Sequence, residues 1–564
     1  GLPKEATRLL QCVAVLERNA TPRMVAAVSG MALDAAADES GELYARGLLH
    51  DDEERLDFVN DVMRDYVYGE MSGLRRTSLH YRAGKQLELE PNPNPGILAR
   101  HFHLGDDRSR AYRYAMEAAR TASESGGHAE AAVMAGLARS TATDLDEELA
   151  ALRIMAESEL ASAQLASARE HFSEIMRLQP EMIAEEKIRI QLRMVECSSE
   201  ISEWDTGRAI LQKIRSTLIT IKDKPSQVIG ASESMYFGLK IAIRQSDSEL
   251  AAEIGRSLEQ LSEDLESDAY EIGDEARVSL LSSLSVYAMF FVSHALASRH
   301  LNQATTHLPK LGQQWEERIG LLQGLVAVRA ANWDAARYAF QRIEQLVEKR
   351  KDLLQLTAIW NNQACSAMEQ GKWDEVEESL AKAETVMDSL PDPLDVQLPL
   401  LMNRATASFY QGKLKNAEDT FRTSLGLAQT AQTHEFLPQI HAWRALVALQ
   451  RGDLDLANQS WAHVREIDTS DYKGAQELYH VEWLKAFMEP DKVEARRHLV
   501  EAANSVSELD RANHLKLRWL AEGHVRSDDA QHEQLRRSLV TTNLGWFVYF
   551  SRRWGRAASG LRFS

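Results

Sequence analysis

The sequence predicts an all-α protein: an α-solenoid of stacked helical hairpins behind a small mixed front domain. Three observations carry this. A small residue followed four positions later by a large apolar one recurs at a nearly constant interval. Proline is scarce, 13 in 564 residues, while alanine, leucine and glutamate, all good helix formers, are abundant. The first 70 or so residues follow a different pattern, with short helices around a short hairpin.

Length and composition agree with a repeat architecture. One hydrophobic core rarely serves 564 residues, whereas an array that grows in one dimension needs no single large core. Hydrophobic content of 44% and charged content of 26% are ordinary for a folded chain. A formal net charge of −19 provides no whole-chain attraction for nucleic acid, and no nucleic-acid partner is expected. The three cysteines, Cys12, Cys197 and Cys365, lie too far apart for a disulfide framework or zinc spacing. A reducing, cytoplasmic compartment is the expectation. No apolar run approaches the about 18 residues of a membrane helix, and "LGWFVYF" at 544–550 is short. The start, "GLPKEATRLLQ", lacks both a secretory signal and an initiator methionine, so the chain reads as a piece of a longer polypeptide.

In order, "LPKEATRLLQCVAVLE" places Leu9, Leu10, Val13 and Leu16 on one helical stripe. "ATPRMVAAVSG" follows, with Thr21 as N-cap and Pro22 at the first helical position. "GLLHDDEERLDFV" reads as a hairpin, with Leu48-Leu49 and Leu56-Phe58-Val59 around an acidic turn. Helices, a small hairpin and then a helix, "FVNDVMRDYVY", is the order of a winged-helix domain over 1–70. Residues 71–140 read as a helical connector and first hairpins, with one proline-rich break, "PNPNPG" at 91–96. Residues 141–540 read as the array, and 541–564 as a basic aromatic tail or cap.

The repeat is countable. The pairs are Ala336/Phe340, Val376/Leu380, Ala417/Phe421, Ala457/Trp461 and Ala495/Leu499, at steps of 40, 41, 40 and 38 residues. Trp333, Trp373, Leu414 and Leu454 stand three residues before the first four, and Gly371, Gly412 and Gly452 two earlier again. Weaker copies are Ala131/Ala135, Ala168/Phe172 and Gly207/Leu211, with Trp204 in the turn. Between about 215 and 320 the register blurs, and Ala304/Leu308 fits poorly. The turn glycine accepts a left-handed conformation, and the small residue lets the second helix approach the first. Each hairpin is apolar on two sides and must stack on its neighbours.

These "G-x-[WL]-x-x-A-x-x-x-F" units resemble tetratricopeptide repeats, at a period longer than usual. The longer unit resembles those of STAND-class regulatory ATPases of the maltose-regulator and large LuxR-type activator kinds. "LYARGLLH", "FVNDVMRDYVY", "RRTSLHYRAGKQLE" and "ILARHFHLGDDRSRAYRYAMEAARTA" occur in the order seen after the ATPase core in that class. The resemblance implies a sensor and control segment with an ATPase core in cis. It implies ATP or ADP bound by that missing domain, no cofactor in this chain, and oligomerisation on activation. In many such proteins the third residue of the stretch at 58–68 is a histidine near the nucleotide. Here it is Asn60, which carries no charge. Asn60 and Arg64 are the candidate interdomain, nucleotide-proximal residues.

Catalysis is not expected. No G-x-x-x-x-G-K-[ST] loop occurs; the Gly-Lys pairs at Gly84, Gly371 and Gly412 lack the earlier glycine. No serine or cysteine carries a nucleophile signature. His101 and His103 of "HFH" point about 200° apart on a helix and read as one buried and one exposed histidine. The acidic pairs at 51–54 and 377–378 read as solvated charge, and Trp204, Trp333 and Trp373 as turn packing. In this repeat class the first helix of each hairpin lines the groove. Trp360, Trp443 and Trp483 on such helices are candidate partner anchors, with Trp360 and Trp443 put forward. Asn361, Asn362, Asn403 and Arg404 are candidate polar contacts to a peptide backbone. The tail carries Arg552, Arg553, Arg556 and Arg562 with Trp546, Phe547, Tyr549, Phe550 and Trp554, and no acid. It reads as a cap first, then as a protein contact, then as a base-stacking or membrane-surface segment.

The functional expectation is recognition and relay: a protein, peptide or small-molecule inducer in the groove, read out by an ATPase core. A stand-alone assembly scaffold and an antiviral STAND sensor of a phage protein are the alternatives.

Overall fold

The computed structural model describes the chain apart from residues 1, 53–54, 202, 246, 268–270, 388–389, 391–393, 431–435, 466–478, 490, 525–528, 548–549 and 552–564. Contacts divide the chain into two compact units, Gly1–Glu159 and Leu160–Ser564.

The first unit opens with α1 (Lys4–Leu16), α2 (Pro22–Ser29) and α3 (Leu33–Ala45). The α1 stripe is buried as its spacing requires, with Leu9, Leu10, Val13 and Leu16 all in the core. Thr21 Oγ1 accepts from the Met24 N–H at 3.2 Å, and Pro22 takes the first helical position, where its missing N–H costs nothing. The hairpin is real: β1 (Leu49–Asp52) pairs antiparallel with β2 (Arg55–Phe58), with Leu49 opposite Phe58. Leu49, Leu56 and Phe58 turn inward, and the Leu56 N–H donates to Ala20 O at 2.9 Å, tying the hairpin to the link between α1 and α2. Val59 departs from expectation and is half exposed.

After the hairpin come α4 (Asp61–Gly69), α5 (Gly73–Leu87), α6 (Pro95–Leu104), α7 (Arg108–Glu124), α8 (His128–Thr141) and α9 (Leu145–Ala161). His101 is buried and His103 exposed, matching the angular argument. The sequence does not reveal His101's partner. His80 Nδ1 lies 3.0 Å from His101 Nδ1, and Tyr68 Oη lies 2.8 Å from His80 Nε2. One chain of neutral groups satisfies this: Tyr68 donates to His80, and His80 donates to His101.

The second unit is helical among the described residues. It comprises α10 (Leu165–Leu178), α11 (Ala184–Glu200), α12 (Trp204–Leu218), α13 (Lys224–Arg244), α14 (Ser248–Ser267), α15 (Gly273–Phe291), α16 (His294–Thr305), α17 (Gln313–Arg329), α18 (Trp333–Arg350), α19 (Leu353–Glu369), α20 (Trp373–Met387), α21 (Leu394–Tyr410), α22 (Leu414–Thr430), α23 (Leu437–Arg451), α24 (Leu454–Val464), α25 (Tyr479–Met488), α26 (Lys492–Ser505), α27 (Arg511–His524) and α28 (Asp529–Thr541). Consecutive helices pair as hairpins, α17 on α18 and α19 on α20 among them, and the hairpins stack through contacts such as α18 on α19 and α22 on α23.

The repeat pairs sit where packing needs them. Ala336, Phe340, Val376, Leu380, Ala417, Phe421, Ala495 and Leu499 are all buried; Trp461 is half-buried. Gly371, Gly412 and Gly452 have φ of 68, 77 and 76°, the left-handed turn that ends each first helix. Ala331 makes the same turn before Trp333 at φ 55° without glycine.

The blurred stretch has a physical explanation. α13, α14 and α15 are 21, 20 and 19 residues long, so the unit there exceeds 40 residues. The small positions become Ala251 and Ala297, the latter paired with Leu301, all fully or almost fully buried. Ala304/Leu308 is out of register because α16 ends at Thr305 and Leu308 begins a 3₁₀ turn.

A second small position emerges on the first helices: Gly324, Ala364, Ala405, Ala445 and Ala486, in α17, α19, α21, α23 and α25. At Gly324 a Cβ would lie 2.4 Å from the Phe340 ring. Helix propensity alone gives Gly324→Ala a gain of about 1 kcal/mol. The overpacking penalty is larger, so a net loss of about 1–2 kcal/mol in urea unfolding is expected. A gain in stability would show that α17 and α18 are free to separate.

Candidate functional site

The residues nominated from sequence fall into three places. Asn361, Asn362, Cys365 and Asn403 are half-buried on α19 and α21. Asn403 Nδ2 donates to Asn361 Oδ1 at 2.8 Å and to Cys365 Sγ at 3.0 Å, so this polar row stitches neighbouring first helices together. Arg404 engages α20 instead. It donates to both oxygens of Glu384 at 2.8 and 2.9 Å and pairs with Glu377 on α20.

The tryptophans are not exposed anchors. Trp360 retains 8% of its surface and its Nε1 donates to Glu344 at 2.7 Å. Trp443 retains 3%, stacked against Phe421 at 6.1 Å and His480 at 4.7 Å between ring centroids. Trp483 is likewise buried. An anchor must be free to enter a partner's pocket, and these rings already fill pockets of their own chain. Asn60 and Arg64 lie on the first unit. Asn60 Oδ1 accepts from the Met63 N–H at 2.9 Å and caps α4, while Arg64 pairs with Asp61 and Asp65 at 3.0 and 3.1 Å.

The most elaborate surface of the second unit is an aromatic wall, and its covering is the chain's own C-terminal segment. After α28 the backbone turns through Thr542 and Asn543, and helical turns follow at 545–547 and 550–551. Trp333 Nε1 donates to Thr542 O at 2.7 Å, and Trp546 Nε1 donates to Glu369 O at 2.7 Å. The Trp546 ring meets Trp373 at 5.4 Å and Tyr410 at 4.8 Å, edge to face. Phe550 meets Phe409 at 5.4 Å, Tyr410 at 4.9 Å and Trp483 at 6.2 Å. Trp519 Nε1 donates to Ser551 Oγ at 2.9 Å. Its described residues thus touch α18, α19, α20, α21, α25 and α27. Gly371 adds a close fit: a Cβ there would be 2.8 Å from the Trp546 ring.

Lys516, on α27, is fully buried beside this segment. Its ammonium lies 2.6 Å from the Glu369 carboxylate and 5.7 Å from the centre of the Phe547 ring. Removing one partner of a buried pair leaves an uncompensated charge. Sequence reading passed over Lys516 and Glu369. The available signal was one lysine inside the apolar run "HLKLRWL". The tail residues Arg552, Arg553, Trp554, Arg556 and Arg562, and the Tyr549 side chain, lie outside the described residues.

Among the described residues no group of three or more His, Cys, Asp or Glu stands in a metal-holding arrangement. No described helix is long and apolar enough to cross a membrane.

The fold defines the class as a helical-repeat protein of tetratricopeptide-like hairpins. No protein-family model matches the chain, and no curated protein matches it. Solved structures are similar to it in part. A Rap protein complexed with competence and sporulation factor is 12% identical, with 64% of this chain and 99% of that one covered and a TM-score of 0.45. A signal transduction ATPase with numerous domains, with a tetratricopeptide repeat sensor, from Pyrococcus horikoshii is 14% identical. That match covers 77% of this chain and 63% of that one, with a TM-score of 0.31. Yeast Tom70 is 11% identical, with 77% and 98% covered and a TM-score of 0.32.

Proposed function

We propose that the chain is a non-catalytic sensor and control segment of a STAND-type signal-transduction ATPase. In this reading the helical array holds an inducer, and the winged-helix-like front segment relays its arrival to an ATPase core in the same polypeptide. The released core then oligomerises. The inducer acts only through a difference in affinity between resting and active states.

The supporting observation is the outer face of α4. Val62 and Tyr66, four residues apart and so on one side of the helix, are 77% and 67% exposed, and Val59, just before it, is 50% exposed. No residue of α4 is fully buried. Asn60 and Arg64 occupy the same short stretch, with their polar groups committed locally. A helix that offers its apolar stripe to water fits a docking face for another domain. The sequence order, in which this helix follows the hairpin and precedes the array, matches the same reading.

The natural reading frame tests this first: a phosphate-binding loop encoded upstream of Gly1 is expected. In that full-length protein, V62E/Y66E should raise inducer-free ATP hydrolysis several-fold by loosening the resting contact. A frame without the loop, or hydrolysis unmoved by the double change, rejects the reading.

A further inference from the structure

We propose that Arg8, Arg75 and Arg82 form an anion site on the first unit, at which two or three guanidiniums grip one phosphate group. The site stands on α1 and α5 and needs no ATPase core, so it goes beyond the sensor reading.

Packing assembles it. Arg8 and Gln11 lie three residues apart on α1, and Arg75 and Arg82 seven apart on α5, so each pair shares a helix face. α1 packs on α5, and Arg75 Nε donates to Gln11 Oε1 at 3.0 Å, joining the two faces. Cys12, the next residue along, is fully buried. Burial pushes its thiol up to about 11, and the charges that oppose this are those of Arg75, Arg8 and Arg82, so all three bear on one point.

The mark of a site is the missing counter-charge. Elsewhere in the unit Arg46, Arg64, Arg100 and Arg110 pair with Glu42, Asp61, Glu17 and Asp107. Among the described residues Arg8, Arg75 and Arg82 form no ion pair, in a chain where acids outnumber lysines and arginines 84 to 65. α5 carries Arg75, Arg76, Arg82 and Lys85 and no acid, and Glu5, three residues before Arg8, makes no pair with it. Arg8 Nε is buried without a hydrogen-bond partner, and Arg75 commits only its Nε to the chain. Arg82 is exposed and has no partner among the described residues. Like charges gathered in this way repel, and a bound dianion reverses the sign of that energy. The planar guanidinium fork matches two oxygens at once. A phosphate group offers three oxygens, enough for more than one fork, where a carboxylate offers two.

The test uses the whole chain, with pyrophosphate as probe in isothermal titration calorimetry at constant ionic strength. One site per chain with a Kd of about 1 mM or tighter is expected. R82Q alters an exposed side chain and should keep the parent's urea midpoint while binding at least ten-fold more weakly. R75K keeps the charge but loses the fork, and should bind at least three-fold more weakly. R18Q, at an exposed arginine that does not act on Cys12, should bind as the parent does. Inorganic phosphate and ATP, titrated in turn, separate the sources. Equal affinity for inorganic phosphate assigns a lone phosphate ion, and tighter binding of ATP assigns a nucleotide; either supports the site. No saturable binding up to about 10 mM pyrophosphate overturns the proposal. So does an equal loss in R18Q and R82Q, which would mean attraction by diffuse charge, or undiminished binding by R75K.

Discussion

Phe421→Ala is expected to destabilise the array by about 3–5 kcal/mol, the usual cost of deleting a fully buried phenylalanine. Phe421 has no exposed surface and lies parallel to Trp443, with 10° between ring planes. Trp443 in turn carries His480 on α25, so the vacancy opens between neighbouring hairpins. In a solenoid each hairpin is held by the next, and a local loss spreads through the interfaces. Urea unfolding followed by circular dichroism measures the change, and hydrogen exchange in α21–α25 locates it. A loss below about 1 kcal/mol would mean that the stacked hairpins do not depend on this wedge.

Mild acid is the second large effect. Burial holds His101 and His480 at about 3, against an ordinary 6.5; His80 and Arg100 add to the effect at His101, and Lys516 at His480. His80 and His441 are lowered to about 4, also chiefly by burial. The native state keeps these rings neutral while the unfolded chain takes up protons below about pH 6.5. Stability is therefore fully present above that pH and is lost as pH falls toward the folded values. At pH 5 each deeply buried ring costs about 2 kcal/mol, since the unfolded histidine is by then protonated over 1.5 pH units at about 1.4 kcal/mol each. The urea midpoint should drop clearly between pH 7.5 and 5.0. His480→Phe keeps a ring against Trp443 and removes the proton, so the slope with pH should fall by about one proton. Equal slopes for variant and parent would place His480 in contact with water.

The His80–His101 contact shows why such groups escape a linear reading. "HFH" divides correctly into an inward and an outward ring because helical angle is local. The meeting of His101 with His80 and Tyr68 depends on how α4, α5 and α6 pack, and nothing in the spacing encodes it. The same holds for Trp360 and Trp443. Their position on first helices was legible; their burial was not, because Glu344 and His480 come from other helices.

By itself the sequence determined the repeating hairpin, the turn glycines, the small residues on the second helices, the cap at Thr21 and the short strand pair. Each rests on contacts within about one repeat, and local geometry decides those. Only the tertiary structure decided the longer units around α13–α15, the second row of small residues headed by Gly324, and the placing of Lys516 beside Glu369. It alone shows Trp546 and Phe550 packed against Trp373, Phe409 and Tyr410. Those facts depend on which surfaces converge when the hairpins stack, and that convergence links residues as far apart as Trp333 and Thr542, 209 positions, and His294 and Glu508, 214 positions.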